Sequence, residues 1–160
     1  MVDVIDKVLG EDADMIALRN RRELLKQKTQ ASYEAALAPK DPGNFSYAFR
    51  AALAARMCGL WKAAELEAHY RDLLKSYGES AYDAILDTGF RPGEADAKLD
   101  AILERVDKVT LTPKEATRAD VEKLYAAGLD DRDIVTLASL TAFVNYQILV
   151  VAGLKMLRDH

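Results

Sequence analysis

The chain has 160 residues, half of them hydrophobic and 30% charged, with a formal net charge of −4. That length fits one domain with a substantial core, and the mixed, slightly acidic charge excludes the basic footprint of a nucleic-acid-binding protein. The single cysteine, Cys58, excludes an internal disulfide and a cysteine-based structural zinc site, and it fits a reducing, cytoplasmic compartment.

Alanine and leucine dominate, and glycine and proline are confined to a few places. β-branched residues cluster only in the last helix and around residues 106–112, so the composition predicts an all-α fold. We read one domain over 1–160, with an N-terminal helical arm at 1–43 and a core at 44–160. The opening MVDVIDKVLG mixes acids with apolar residues, which is unlike a signal peptide.

Residues 2–9 predict a short amphipathic turn through Val2, Ile5, Val8 and Leu9, stopped by Gly10. From Asp12 or Asp14 a long helix is expected to about Ala38, with Met15, Leu18, Leu25, Thr29, Ser32, Tyr33 and Leu37 at helical spacing. The basic residues between them (Arg19, Arg21, Arg22, Lys26, Lys28) read as a solvated face. The segment PKDPG at 39–43 is the clearest breaker in the chain.

Asn44 or Ser46 is expected to cap the alanine-rich helix FSYAFRAALAARMCGL, with Gly59 at its end or at a tight joint. The segment WKAAELEAHYRDLLKSYG continues as a second helix closing at Gly78, with Trp61, Ala64, Leu66 or Ala68, and Leu73 facing inward. Its charges form i,i+3 and i,i+4 pairs on the outside. SAYDAILDTGF predicts a further short helix, and residues 95–108 another. Thr112-Pro113-Lys114-Glu115 carries a helix-start signal, and Thr117 or Asp120 leads into VEKLYAAGL, which ends at Gly128.

The last quarter, 130–157, runs without a charge between Asp133 and Lys155 and is apolar around most of its circumference. Such a helix is either the buried centre of an assembly or a membrane span. Thr136, Ser139, Thr141, Asn145 and Gln147 are spread through it, which favours the buried centre over the membrane. Asn145 and Gln147 then need partners on another helix or across a subunit contact.

The order Thr-Pro-x-x-Ala-Thr-x-x-Asp-Val-x-x-Leu-x-x-Ala-Gly-Leu-Asp-Asp-x-Asp-Ile-Val, followed by Ala-Phe-Val-Asn-Tyr, resembles the AhpD-like and carboxymuconolactone decarboxylase-like superfamily. Residues 112–157 carry the match, and the helix pair at 44–77 supports it more loosely. The resemblance implies an AhpD-like bundle of orthogonally packed helices assembled as a dimer, trimer or hexamer, here through the 130–157 helix. It also implies, as a possible partner, a cysteine-containing relative.

Peroxidase-type members of that family use a Cys-x-x-Cys pair followed four residues later by a histidine, with a relay glutamate one helix upstream. Two thiols three apart share a helix face and can close a disulfide, and the histidine can raise the thiolate fraction. Matched onto this chain, the pattern keeps His69 but places Lys62 and Glu65 at the cysteine positions and Arg50 at the glutamate position. The implied function is therefore a non-redox helical oligomer, a binding or accessory partner that has lost the dithiol site.

The alternative is an enzyme, peroxidase-related or decarboxylase-like. One version uses Cys58 as a single thiol, with Arg56 or Lys62 as the cation that activates it. The other uses His69 oriented by Glu65 at i,i+4, with Arg50 holding a carboxylate ligand. Against these stand the ordinary readings of Cys58 as a small buried hydrophobe and of Glu65 with His69 as a surface ion pair. No cofactor is implied, and the only other histidine, His160, does not complete a metal site.

Overall fold

The computed structural model describes residues 3–160, so Val2 of the expected first turn lies outside the described residues. Among them there are helices and turns and no strand, as the composition predicts. In chain order the helices are α1 (Val4–Val8), α2 (Ala13–Asn20), α3 (Glu23–Leu37), α4 (Tyr47–Leu60), α5 (Ala64–Ser76), α6 (Ala97–Leu111), α7 (Arg118–Ala126) and α8 (Asp131–Arg158). Short 3-10 turns at Asp83–Leu86, Gly93–Asp96 and Pro113–Glu115 join them.

The helix at the centre is α4, not the last helix. Ala51, Ala52, Leu53, Ala54, Ala55, Met57 and Cys58 are all sealed from solvent, and α3, α5, α6 and α8 pack around them. Alanine explains this arrangement, because side chains one carbon long let neighbours approach a helix from every direction at close range. Ser46 caps the helix by accepting from the Phe49 amide at 3.1 Å.

Helix α8 has the expected limits but only one dry face. Leu137, Leu140, Val144, Ile148 and Val151 are buried against the bundle, while Val135, Tyr146, Leu149, Met156 and Leu157 face outward. Its start is fixed reciprocally. The Asp133 amide donates to the Asp130 carboxylate at 2.8 Å, and Asp133 accepts from the Asp130 amide at 3.3 Å.

The single long helix expected between residues 12 and 38 is two helices, broken at Arg21 and Arg22, where Arg22 leaves helical geometry at φ −127°, ψ 57°. The break lets α2 fold back so that the Arg19 guanidinium reaches Asp3 at 2.5 Å and also pairs with Asp6. No local signal marks it, and a contact with the start of the chain overrides helix propensity. Ile5, Leu9, Met15 and Leu37 join the same core as α4, so the N-terminal helices pack into the bundle rather than standing apart from it.

Two further expectations change in detail. Thr112 and Pro113 open a 3-10 turn rather than a helix, and α7 begins six residues later behind Thr117, one of its two expected leads, whose amide donates to Asp120 at 2.7 Å. On α5 the inward face is Leu66, Tyr70 and Leu74, while Trp61 is half exposed. The turn before α5 places Lys62 at φ 55°, which rotates the helix away from the phase that Trp61 would set.

Candidate functional site

The four residues singled out from the sequence lie on two adjacent helices, yet they do not form one site. Arg50 sits on the first turns of α4 and is 4% exposed. Its guanidinium donates to three backbone carbonyls: Nε to Phe45 at 3.0 Å, Nη1 to Ala36 at 2.9 Å and Nη2 to Pro42 at 2.9 Å. Burial lowers its pKa, and the three carbonyl dipoles take the place of a counter-ion. Arg50 therefore staples the proline-rich connection after α3 to the start of α4.

Glu65, on the first turn of α5, turns away from His69. Its carboxylate accepts from Lys155 of α8 at 2.6 Å, and this hydrogen bond holds it below its ordinary pKa. The i,i+4 pair with His69 is not made. A lysine ammonium is a better partner for a carboxylate than an imidazole whose burial favours the neutral form.

His69 is half-buried between α5, α3 and the N-terminal turn. Its Nε2 lies 2.9 Å from the Tyr33 hydroxyl, and its ring meets Tyr70 edge-on at 5.1 Å. Desolvation lowers its pKa, and nearby Lys7 adds to the effect. Burial pushes the Tyr33 phenol in the other direction, up to about 12, so the pair is neutral on both sides around pH 7. Tyr33 also stacks on Tyr70 at 6.3 Å, and the sealed Tyr70 hydroxyl donates to Gln147 of α8.

Sequence spacing did not reveal this layer of Tyr33, His69, Tyr70 and Gln147, because its members come from three helices far apart in the chain. The one legible signal was Gln147 itself, an amide in an apolar helix that needed a partner elsewhere. Asn145 answers the same expectation. It donates to Thr110 of α6 at 3.2 Å and accepts from the Trp61 indole at 3.1 Å.

Cys58 is fully buried near the end of α4. Desolvation pushes its thiol well above the ordinary value, and the Glu67 carboxylate adds to the shift. Neither cation considered for it is available. Lys62 is exposed, and Arg56 is fully committed elsewhere. Arg56 Nε and Nη2 donate to the two Asp107 oxygens at 2.8 Å each, and its remaining donors go to the carbonyls of Ile85, Asp87, Thr88 and Phe90. A nucleophilic thiol needs exposure and a nearby positive charge, and this one has neither.

Two grooves open beside α8, both between it and α3. One, of about 510 Å³, is lined by Ser32, Arg50, Val135, Ser139 and Phe143 among others. The second, of about 420 Å³, is lined by Leu18, Arg22, Leu25, Tyr146 and Leu154 among others. His69, Glu65 and Cys58 line neither. Among the described residues no three His, Cys, Asp or Glu side chains gather as metal ligands.

No protein-family model matches the chain. No curated protein matches it either. Among solved structures, its fold is similar to that of an uncharacterized peroxidase-related protein from Silicibacter sp. TM1040, with a TM-score of 0.69 and 21% identity. The match covers 80% of this chain and 66% of that one, so the chain spans just under two thirds of its neighbour's length. The all-α fold anticipated from the sequence is thus one that a peroxidase-related protein also adopts.

Proposed function

We propose that this chain is an AhpD-like helical protein without peroxidase chemistry of its own, acting in the cytoplasm as a binding or accessory partner. The observation that carries the reading is the state of Cys58. The chain's only thiol is sealed in the α4 core, and burial holds it in the protonated form. Dithiol chemistry needs two sulfurs at exchange distance, and single-thiol chemistry needs a thiolate that peroxide can reach.

The acid–base alternative draws no support from geometry. Arg50 is spent on three carbonyls, Glu65 on Lys155 and His69 on Tyr33. Supporting an association role instead is the outward face of α8, where a row of apolar side chains meets solvent. The companion fits either a second copy or a cysteine-containing relative of the same fold.

Peroxide reduction with a dithiol reductant, together with titration of the folded protein by an aromatic disulfide reagent, tests this. We expect no turnover above the uncatalysed rate, and no thiol release until denaturant is added. Turnover that disappears in Cys58→Ala would overturn the proposal.

A further inference from the structure

The end of α3 meets the start of α8, and the start of α3 meets its end, so the two helices run antiparallel. The groove of about 420 Å³ lies toward the start of α3. At one end of it the hydroxyls of Thr29 and Tyr146 share a hydrogen bond of 3.1 Å, each meeting the other's need for a partner. From there α3 runs back through Leu25 to Arg22 while α8 runs forward through Val150 to Leu154, and Leu18 of α2 completes the wall. The stretch from Tyr146 to Leu154 is about 12 Å of helix. Leu18 and Leu25 are 36% and 54% exposed, so these apolar walls are wet in the lone chain.

The charge of the groove is one-sided. Arg19, Arg21, Arg22 and Lys26 line it, and no acid does so among the described residues, whereas the larger groove has Asp41 in its wall. Two of the four cations are neutralised from behind: Arg19 pairs with Asp3 and Asp6, and Lys26 pairs with Asp6. Arg21 and Arg22 make no side-chain hydrogen bond or ion pair among the described residues. The break between α2 and α3 sets them side by side, at the end away from the Thr29–Tyr146 bond. Adjacent guanidiniums repel each other, and in a chain of net charge −4 no carboxylate contacts either one.

An apolar trough with a spent polar pair at one end and two free arginines at the other fits a single-chain amphiphile with an anionic head. A guanidinium meets a carboxylate through two parallel hydrogen bonds. A staggered alkyl chain advances about 1.25 Å per carbon, so the trough holds a tail of roughly nine or ten carbons. We propose that this groove binds a medium-chain fatty carboxylate, its head held by Arg21 and Arg22 and its tail lying between Leu18, Leu25, Val150 and Leu154. Cys58 and His69 line no part of it, so the site is independent of the non-redox reading and goes beyond it.

Calorimetric titration of the full chain with sodium decanoate, kept below its micelle concentration, tests the proposal. Saturable one-to-one binding is expected. Decyltrimethylammonium carries the same tail and the opposite head, and it is expected to bind at least about tenfold more weakly. The double variant Arg21→Gln with Arg22→Gln is expected to lose decanoate affinity by a similar factor. Its melting temperature is expected to match the wild type, since both side chains are exposed and unpartnered. Leu25→Gln, also at an exposed position, is expected to weaken both amphiphiles.

No saturable binding, equal affinity for the two head groups, or a double variant that binds decanoate like the wild type overturns the proposal. Flotation with phosphatidylglycerol vesicles in a chain that ignores soluble decanoate overturns it too, and would assign the two arginines to a membrane surface. The peroxide assay is read separately. A chain that binds decanoate and reduces peroxide through Cys58 would sink the non-redox reading and leave this site standing.

Discussion

Arg56 and Asp107 form a two-point ion pair inside the bundle, with both contacts at 2.8 Å and no part of the arginine side chain reaching solvent. Asp107 also accepts from Arg91 at 2.7 Å, so one carboxylate on α6 holds α4 and the 85–91 connection together. Removing the anion strands a buried guanidinium, which is costly whatever the intact pair contributes. Asp107→Ala is expected to lower stability by about 3–5 kcal/mol, read from urea unfolding. Arg91→Ala removes only a partly exposed contact and is expected to cost under about 1 kcal/mol.

Arg50 acts on the backbone rather than on a carboxylate. Replacing it with methionine keeps much of the buried volume but leaves the carbonyls of Ala36, Pro42 and Phe45 without this donor. Each stranded acceptor costs about 1–3 kcal/mol where water cannot reach it. Amide hydrogen exchange is expected to rise selectively across residues 36–46, with α6 and α7 unchanged. Uniform acceleration over the whole chain would show that the staple acts globally.

Tyr70 and Gln147 are a buried pair with no solvent to fall back on. Gln147→Leu leaves the Tyr70 hydroxyl unpartnered and is expected to cost about 1–3 kcal/mol. Adding Tyr70→Phe removes the stranded group, so the double variant is expected to be more stable than Gln147→Leu alone. Strict additivity in a double-mutant cycle would count against the hydrogen bond.

His69 gives a pH dependence of definite sign. Its pKa is lowered in the folded chain from an ordinary value of 6.5, so below that value the unfolded chain binds the proton more readily. The neutral imidazole's contribution is complete above pH 6.5 and is lost as pH falls toward the depressed folded value. Thermal stability is therefore expected to decline from pH 6.5 downward before the carboxylates titrate. In His69→Gln that part of the slope is expected to flatten. A slope equal to that of the wild type would place its origin elsewhere.

Local chemistry made much of the architecture legible. Alanine-rich spacing marked α4, Ser46 and Asp130 marked two helix starts, and Gly78 and Gly128, at φ 68° and 92°, marked two ends. These signals act over one or two turns, where caps and left-handed glycines are decided by neighbouring atoms. The missing thiol pair was equally plain, since it needed only a count of cysteines.

Tertiary structure alone decided which helix is central and what each polar side chain does. Hydropathy put α8 at the centre because it measures how apolar a segment is. Centrality depends instead on how closely neighbours can approach, which favours the small residues of α4. Arg50, Glu65 and His69 could share a site on the sequence, yet each has found a different partner: a loop, a lysine ninety residues away and a tyrosine on α3. Hydrogen-bond partners depend on distances between helices, and those distances are set by the packing of the whole chain.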